Sequence, residues 1–186
     1  MKKFIQQLRK NNALILDTET TGLDNRAELL QIGIVTLDGE PVFHSYVQPI
    51  FARRWSDAQR VHGISWQDVQ DAPTISELAA KLQEVLEEQT VAVYNADFDG
   101  RMLRQSIRAA KAARQFQWLQ EGRWPCVMKA YAPYWGQRNR RYGGYKWQSL
   151  TNACRQQGVP VASAHDALAD AKMTAALIRA VEKKLL

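Results

Sequence analysis

Cysteine is scarce: the 186-residue chain has two, Cys126 and Cys154. Two thiols are too few for a disulfide scaffold, and their separation matches no metal-finger spacing. Both are expected to be buried thiols in a reducing compartment. Long apolar runs are missing too: no stretch approaches the roughly 20 residues that span a bilayer, which argues against a membrane protein. Residues 1–12 carry Lys2, Lys3, Arg9 and Lys10, yet no apolar segment of signal-peptide length follows. They read as a basic N-terminal segment of a cytoplasmic protein. Repeats and low-complexity tracts are absent, so residues 1–186 are expected to form a single domain.

Acid is scarce in one half only. Residues 1–100 hold nine Lys/Arg against fifteen Asp/Glu, a balance of −6, and residues 101–186 hold sixteen against four, a balance of +12. A basic second half beside an acidic first half suits a protein that binds a polyanion next to a carboxylate pocket.

What is present reads as α/β. The apolar run 13–17 (ALILD) fits a strand buried on both faces. Strands over 29–37 and 42–47 follow, joined at Asp38-Gly39, a strong hairpin signal. Thr74 and Glu77 form a capping box for a helix reaching about residue 88. A strand at 90–94 then feeds a helix over about 97–114. Further helices are expected at 127–134, at 148–157 and at about 165–184. The order β-β-β-α-β-α predicts a mixed sheet, with three antiparallel strands and parallel additions.

Three constellations carry chemistry. Asp17 and Glu19, two apart at the end of the first buried strand, point to one side. Paired carboxylates in an apolar setting repel unless they share a proton or a cation, and hard oxygen ligands suit Mg²⁺ or Mn²⁺. The run Asn95-Ala96-Asp97-Phe98-Asp99 sits where a second apolar strand meets a helix, a place where strand ends open onto a common crevice. Either aspartate there faces the first pair or simply favours the helix N-terminus. Last, His165 and Asp170 open the final helix about one turn apart, and a histidine is the natural general base near neutral pH.

The set resembles the DEDDh, or DnaQ-like, family of 3′–5′ exonucleases. DTETTGL at 17–23, NADFD at 95–99 and HDALAD at 165–170 match its three motifs, and VHGIS at 61–65 is similar to a segment between the first two. The resemblance covers about residues 13–181. It implies an RNase H-like α/β fold with a mixed five-stranded sheet flanked by helices. It implies Asp17, Glu19, Asp99 and Asp170 as ligands of two divalent cations, Mg²⁺ or Mn²⁺, and His165 as general base. In the second motif the family carboxylate follows Phe, which selects Asp99 over Asp97. Thr18, Thr20, Leu23, Asn95 and Phe98 are expected beside the terminal nucleotide. Two departures stand out: Tyr94 replaces a histidine common in the family, and 126–145 lacks an Asp-Thr pair that many members carry.

Between Arg123 and Arg155, aromatic residues alternate with cations. The stretch 137–145 (QRNRRYGGY) is too polar and glycine-rich for core, and reads as a mobile loop in which Arg138, Arg140 and Arg141 grip phosphates. The expected activity is hydrolysis at 3′ ends of single-stranded nucleic acid, DNA favoured, releasing nucleoside 5′-monophosphates in repair or proofreading. An RNA-trimming exoribonuclease shares the same motifs. A non-catalytic binding module of the same fold is expected to have lost a carboxylate, and all five residues are present here. Relatives form homodimers or join a polymerase or repair partner; the stop at Leu186, just after the last helix, favours a free enzyme.

Overall fold

The computed structural model describes residues 1–119, 124–161 and 165–186. Among them a sheet of four strands forms: β1 (Leu14–Thr20), β2 (Leu29–Thr36), β3 (Pro41–Tyr46) and β4 (Val91–Val93), in the order β3-β2-β1-β4. β1 pairs antiparallel with β2 and parallel with β4, and β2 pairs antiparallel with β3. Seven of the eight residues of β2 are buried, so the central strands are covered on both faces. Gly39, at φ 91°, turns the β2–β3 hairpin.

Helices cover both faces. α1 (Lys2–Lys10), α6 (Val127–Trp135), α7 (Leu150–Gln157) and α8 (Ala167–Leu185) pack with Ile15, Val35 and Ala92. α4 (Ala79–Leu86) and α5 (Ala96–Ala109) pack with Leu16, Ile32, Ile34 and Val93 on the other face. Two short helices, α2 (Ser56–His62) and α3 (Trp66–Val69), follow the loop after β3. That loop is pinned by the buried Glu28 carboxylate, which accepts the N–H groups of Ile50, Phe51 and Ala52 at 2.6, 3.0 and 2.8 Å.

The structure corrects several expectations. The fifth strand is reduced, among the described residues, to one parallel bridge between Val93 and Cys126. Pro125 accepts the Val93 N–H through its carbonyl at 3.0 Å but has no N–H to extend a ladder, and α6 begins at Val127. Arg123 lies outside the described residues. The helix expected over 97–114 ends at Ala109, because Lys111 turns to φ 56° and a 3₁₀ turn, Ala113–Phe116, follows. The capping-box bonds between Thr74 and Glu77 form, but regular helix begins only at Ala79. Residues 2–10 are helical, with Ile5 and Leu8 buried beneath a basic outer face, and Arg9 bonds Glu182 of α8 at 2.8 Å. Cys154 is buried as expected, whereas Cys126 is half-buried. No described helix is long and apolar enough to cross a membrane.

Candidate active site

The site forms where β1 ends. Alternation along β1 puts Asp17 and Glu19 on the face covered by α8, opposite Gly33 and Gln31 of β2. Thr18 faces α5, and its hydroxyl donates to the Asp99 carboxylate at 2.8 Å. Asp99 is buried, at 3% exposure, whereas Asp97 is exposed and paired with Lys129 at 2.6 Å. The second motif therefore turns Asp99, not Asp97, inward.

The start of α8 and the residue before its cap supply the last two residues. Asp166 caps it, its carboxylate accepting the Ala169 N–H at 2.9 Å, so the helix begins one residue later, at Ala167. His165 stands outside the helix with φ 77° and gives its backbone N–H to Asp170 Oδ2 at 3.3 Å. Ligand atoms of Glu19, His165 and Asp170 all lie within 4.8 Å of one another.

This crowding is electrostatically costly. Withdrawal from water raises Asp17 well above the carboxylate range, and the charges of Asp99, Asp170, Glu19 and Asp166 raise it further. Burial, then Asp170, Asp99 and Asp166, push Glu19 up to about 8. Burial pushes Asp99 up to about 7 against the hydrogen bond from Thr18, and it raises Asp170 against the N–H of His165. Asp170 Oδ1 is buried without a hydrogen-bond partner among the described residues. An orphaned carboxylate oxygen amid acids that resist ionisation fits a hard divalent cation, which would supply the missing charge.

A stability test follows. Unfolded, Glu19 and Asp99 titrate near pH 4, and folded they hold protons up to about pH 8 and 7, about three units higher. The native state thus binds more protons across that window, and metal-free stability falls as pH rises through it. Mg²⁺ or Mn²⁺ at about 100 times its Kd adds about 2.7 kcal/mol, a rise of about 5–11 °C in Tm. That gain should be present at pH 8 and largely absent at pH 5, where protons occupy the site. Thermal scans showing equal gains at both pH values would remove the cation from the cluster.

A cleft of about 890 Å³ opens beside the cluster, lined by residues 18–24 together with Trp55, Val61, His62, Phe98 and His165. Leu23 is 77% exposed there. The Thr20 hydroxyl is committed to Gly22 O at 2.8 Å. Asn95 stands at the N-terminal end of α5, where its carbonyl accepts the N–H groups of Phe98 and Asp99 at 2.9 and 3.2 Å. Tyr94 turns away from the cleft into the core, where its hydroxyl donates to Gln148 O at 2.8 Å. Arg138 and Arg141 lie over the rings of Tyr145 and Tyr142, at 4.6 and 5.1 Å. Their segment closes as a small hairpin, with Asn139 N bonded to Gly144 O and Lys146 N to Gln137 O at 3.1 and 2.8 Å. Arg138, Arg140 and Arg141 are not among the described residues lining the cleft.

Sequence reasoning gave no role to His62. Its Nδ1 accepts the Ile64 N–H at 3.0 Å, so the ring's other nitrogen donates to the Thr20 carbonyl at 3.1 Å. Burial lowers its pKa, consistent with this neutral form. The ring thereby braces the end of β1 from the opposite wall. The VHGIS resemblance was the one signal for it.

Comparison with known proteins agrees with this geometry. The family model RNase_T, an exonuclease family, matches residues 14–178. The exonuclease CP81 of Escherichia phage 186 is 33% identical over 184 residues, covering 98% of this chain and 92% of that protein. DNA polymerase III subunit epsilon of Rickettsia felis is 33% identical over 106 residues, covering 54% of this chain and 46% of that one, so the match spans about half the subunit's length. The nuclease domain of 3′hExo, a DEDDh family member solved bound to rAMP, shares the fold with a TM-score of 0.74 at 17% identity, covering 92% of each chain.

Proposed function

Since the chain belongs to the RNase_T exonuclease family and is DnaQ-like in fold, we propose that it is a metal-dependent 3′–5′ exonuclease. It removes nucleoside 5′-monophosphates from single-stranded ends, with DNA as the favoured substrate. The observation that carries this reading is the convergence of Asp17, Glu19, Asp99 and Asp170, all resisting ionisation, beside His165.

Asp17, Glu19, Asp99 and Asp170 hold two divalent cations, Mg²⁺ or Mn²⁺. When bound, such cations activate water and neutralise charge on the departing 3′-oxygen. His165 takes the proton from the attacking water. Its left-handed backbone supports that role, because such strain concentrates at active sites. Leu23 and Phe98 offer apolar surface to the terminal base, and the buried Thr20 backbone, braced by His62, orients the 3′ end. The whole of residues 1–186 acts as one domain, a reading supported by the Arg9–Glu182 bond that joins α1 to α8.

The choice of DNA rests on the epsilon-subunit relative, which also makes proofreading or repair the natural setting, beside a polymerase or alone. The rAMP bound to 3′hExo supports a second reading, an exoribonuclease. Degradation of matched 5′-labelled single-stranded DNA and RNA, with Mg²⁺ and with chelator, tests both. A metal-dependent ladder shortening from the 3′ end supports the proposal, and the faster substrate names the class. If neither strand shortens, the catalytic reading fails.

Arg138, Arg140 and Arg141 lie outside the cleft wall, and we place them on the path of the strand leading to it. Replacing all three by Ala should weaken single-strand binding. The slope of log affinity against log salt should fall by up to ~2, at about 0.7 per lost phosphate contact. An unchanged slope would take the hairpin out of the interface.

A further inference from the structure

We infer that Gln31 is a positioning residue for this reaction: it fixes the opening of α8 so that His165 and Asp170 face Glu19, and it keeps Asp166 out of the cation site. This inference rests on the reading of Glu19, His165 and Asp170 as the reaction centre.

Gln31 is a polar residue inside the apolar strand β2 and is 1% exposed. A buried amide is costly unless its donors and acceptor are all used. Gln31 lies opposite Glu19, on the face that α8 covers. Two residues further along that face, a Cβ added to Gly33 would come within 2.5 Å of the backbone of Ala167 and Leu168. The first turn of α8 therefore rests directly on β2, and only glycine leaves room for it.

Gln31 holds this docked turn from the side. Its Oε1 accepts the Ala167 N–H at 2.9 Å, which settles the amide's orientation, because a backbone N–H only donates. Its Nε2 donates to Asp166 Oδ2 at 2.8 Å and to His44 Nε2 at 2.9 Å, so His44 presents an unprotonated Nε2. The other Asp166 oxygen is taken by the Ala169 N–H. Asp166 is thus a carboxylate beside the cluster with both oxygens engaged. Without Gln31, Oδ2 is free to turn toward the cations, and the segment between His165 and Asp170 loses its anchor on the sheet. A displacement of about 1 Å there is enough to cost on the order of 10²-fold in rate.

A polarity swap tests this. In Gln31→Glu the side chain still accepts from Ala167 but faces Asp166 with a like charge and no donor. Turnover should fall about 10–100-fold, the usual effect of disturbing a group that orients metal ligands, with KM for oligonucleotide nearly unchanged. Mn²⁺ affinity of the nucleic-acid-free protein, read by thermal-shift titration, should fall with it. The double variant Gln31→Glu/Asp166→Asn restores one donor and one acceptor with their polarity reversed, and the asparagine keeps an oxygen for the Ala169 N–H. It should recover most of both losses. Gln31→Met, which keeps the volume and bonds nothing, should lose turnover like Gln31→Glu and carries the test if the charged variant does not fold. Wild-type turnover and Mn²⁺ affinity in the single variants would overturn the inference, as would a double variant no better than Gln31→Glu. A wild-type protein that neither binds Mn²⁺ nor degrades a strand points instead to failure of the underlying catalytic reading.

Discussion

Asp17→Asn should nearly abolish nuclease turnover and, in the same protein, raise the heat stability of the metal-free form at pH 8. Both effects have one origin. Asp17 is drawn out of water at the end of β1, and Asp99, Asp170, Glu19 and Asp166 all oppose its ionisation. In the metal-free fold at pH 8 that carboxyl is a liability, whether it stays ionised among its neighbours or takes up a proton that the unfolded chain does not hold. The isosteric amide removes it without opening a cavity, and each kcal/mol of relief raises Tm by about 2–4 °C for a chain of this size. In the proposed metal-dependent enzyme the same charge would hold a cation, and such a cation would supply several kcal/mol of transition-state stabilisation. At about 1.4 kcal/mol per tenfold, losing it costs on the order of 10³-fold in rate. The pairing matters more than either number. An inactive variant that also melts lower at pH 8 would mean that Asp17 holds the fold together, not the cation. A variant with normal turnover would remove Asp17 from the chemistry altogether.

That liability is also why the candidate site was legible in the sequence. Carboxylates at the ends of apolar strands are poor choices for stability, so DTE and DFD stood out against ALIL and TVAVY. The antiparallel opening and its Asp38-Gly39 turn were legible for the same local reasons, since alternation and turn chemistry act over a few residues. What escaped depends on distant contacts. Residues 1–12 read as a basic segment because Lys and Arg crowd the outer face, while Ile5 and Leu8, with Met1 and Phe4 partly buried beside them, face inward onto the core shared with α8. The short helices α2 and α3 give too little periodic signal to be read, yet α2 carries His62 and the second wall of the cleft. Gln31 looked like one polar residue in a strand, and its meaning came only with a helix start 135 positions away. Among the described residues the expected fifth strand is reduced to one bridge by a local fact, the missing N–H of Pro125 next to the start of α6. Recognition of the motif family carried the choice of Asp99 over Asp97, and burial of one with ion pairing of the other agrees with it.

His165 allows the chemical step to be separated from the fold more sharply than any carboxylate does. It is exposed, it stands before α8, and it adopts φ 77°. A left-handed backbone costs a side-chain-bearing residue roughly 1–2 kcal/mol, a cost glycine does not carry. His165→Ala keeps that strain and removes the imidazole; His165→Gly removes both. Both variants should therefore lose about 10²–10⁴-fold in turnover, the usual contribution of a general base, while only the glycine variant melts higher than wild type. Metal-induced stabilisation should survive in both, because Asp17, Glu19, Asp99 and Asp170 are intact. Added imidazole should restore part of the lost rate, with a pH dependence that follows the added base. Single-turnover rates on a 5′-labelled strand, run beside thermal scans, decide it. If the two variants differ in rate by as much as they differ in stability, His165 acts by shaping the loop; if they are equally slow and both respond to imidazole, the proton passes through His165.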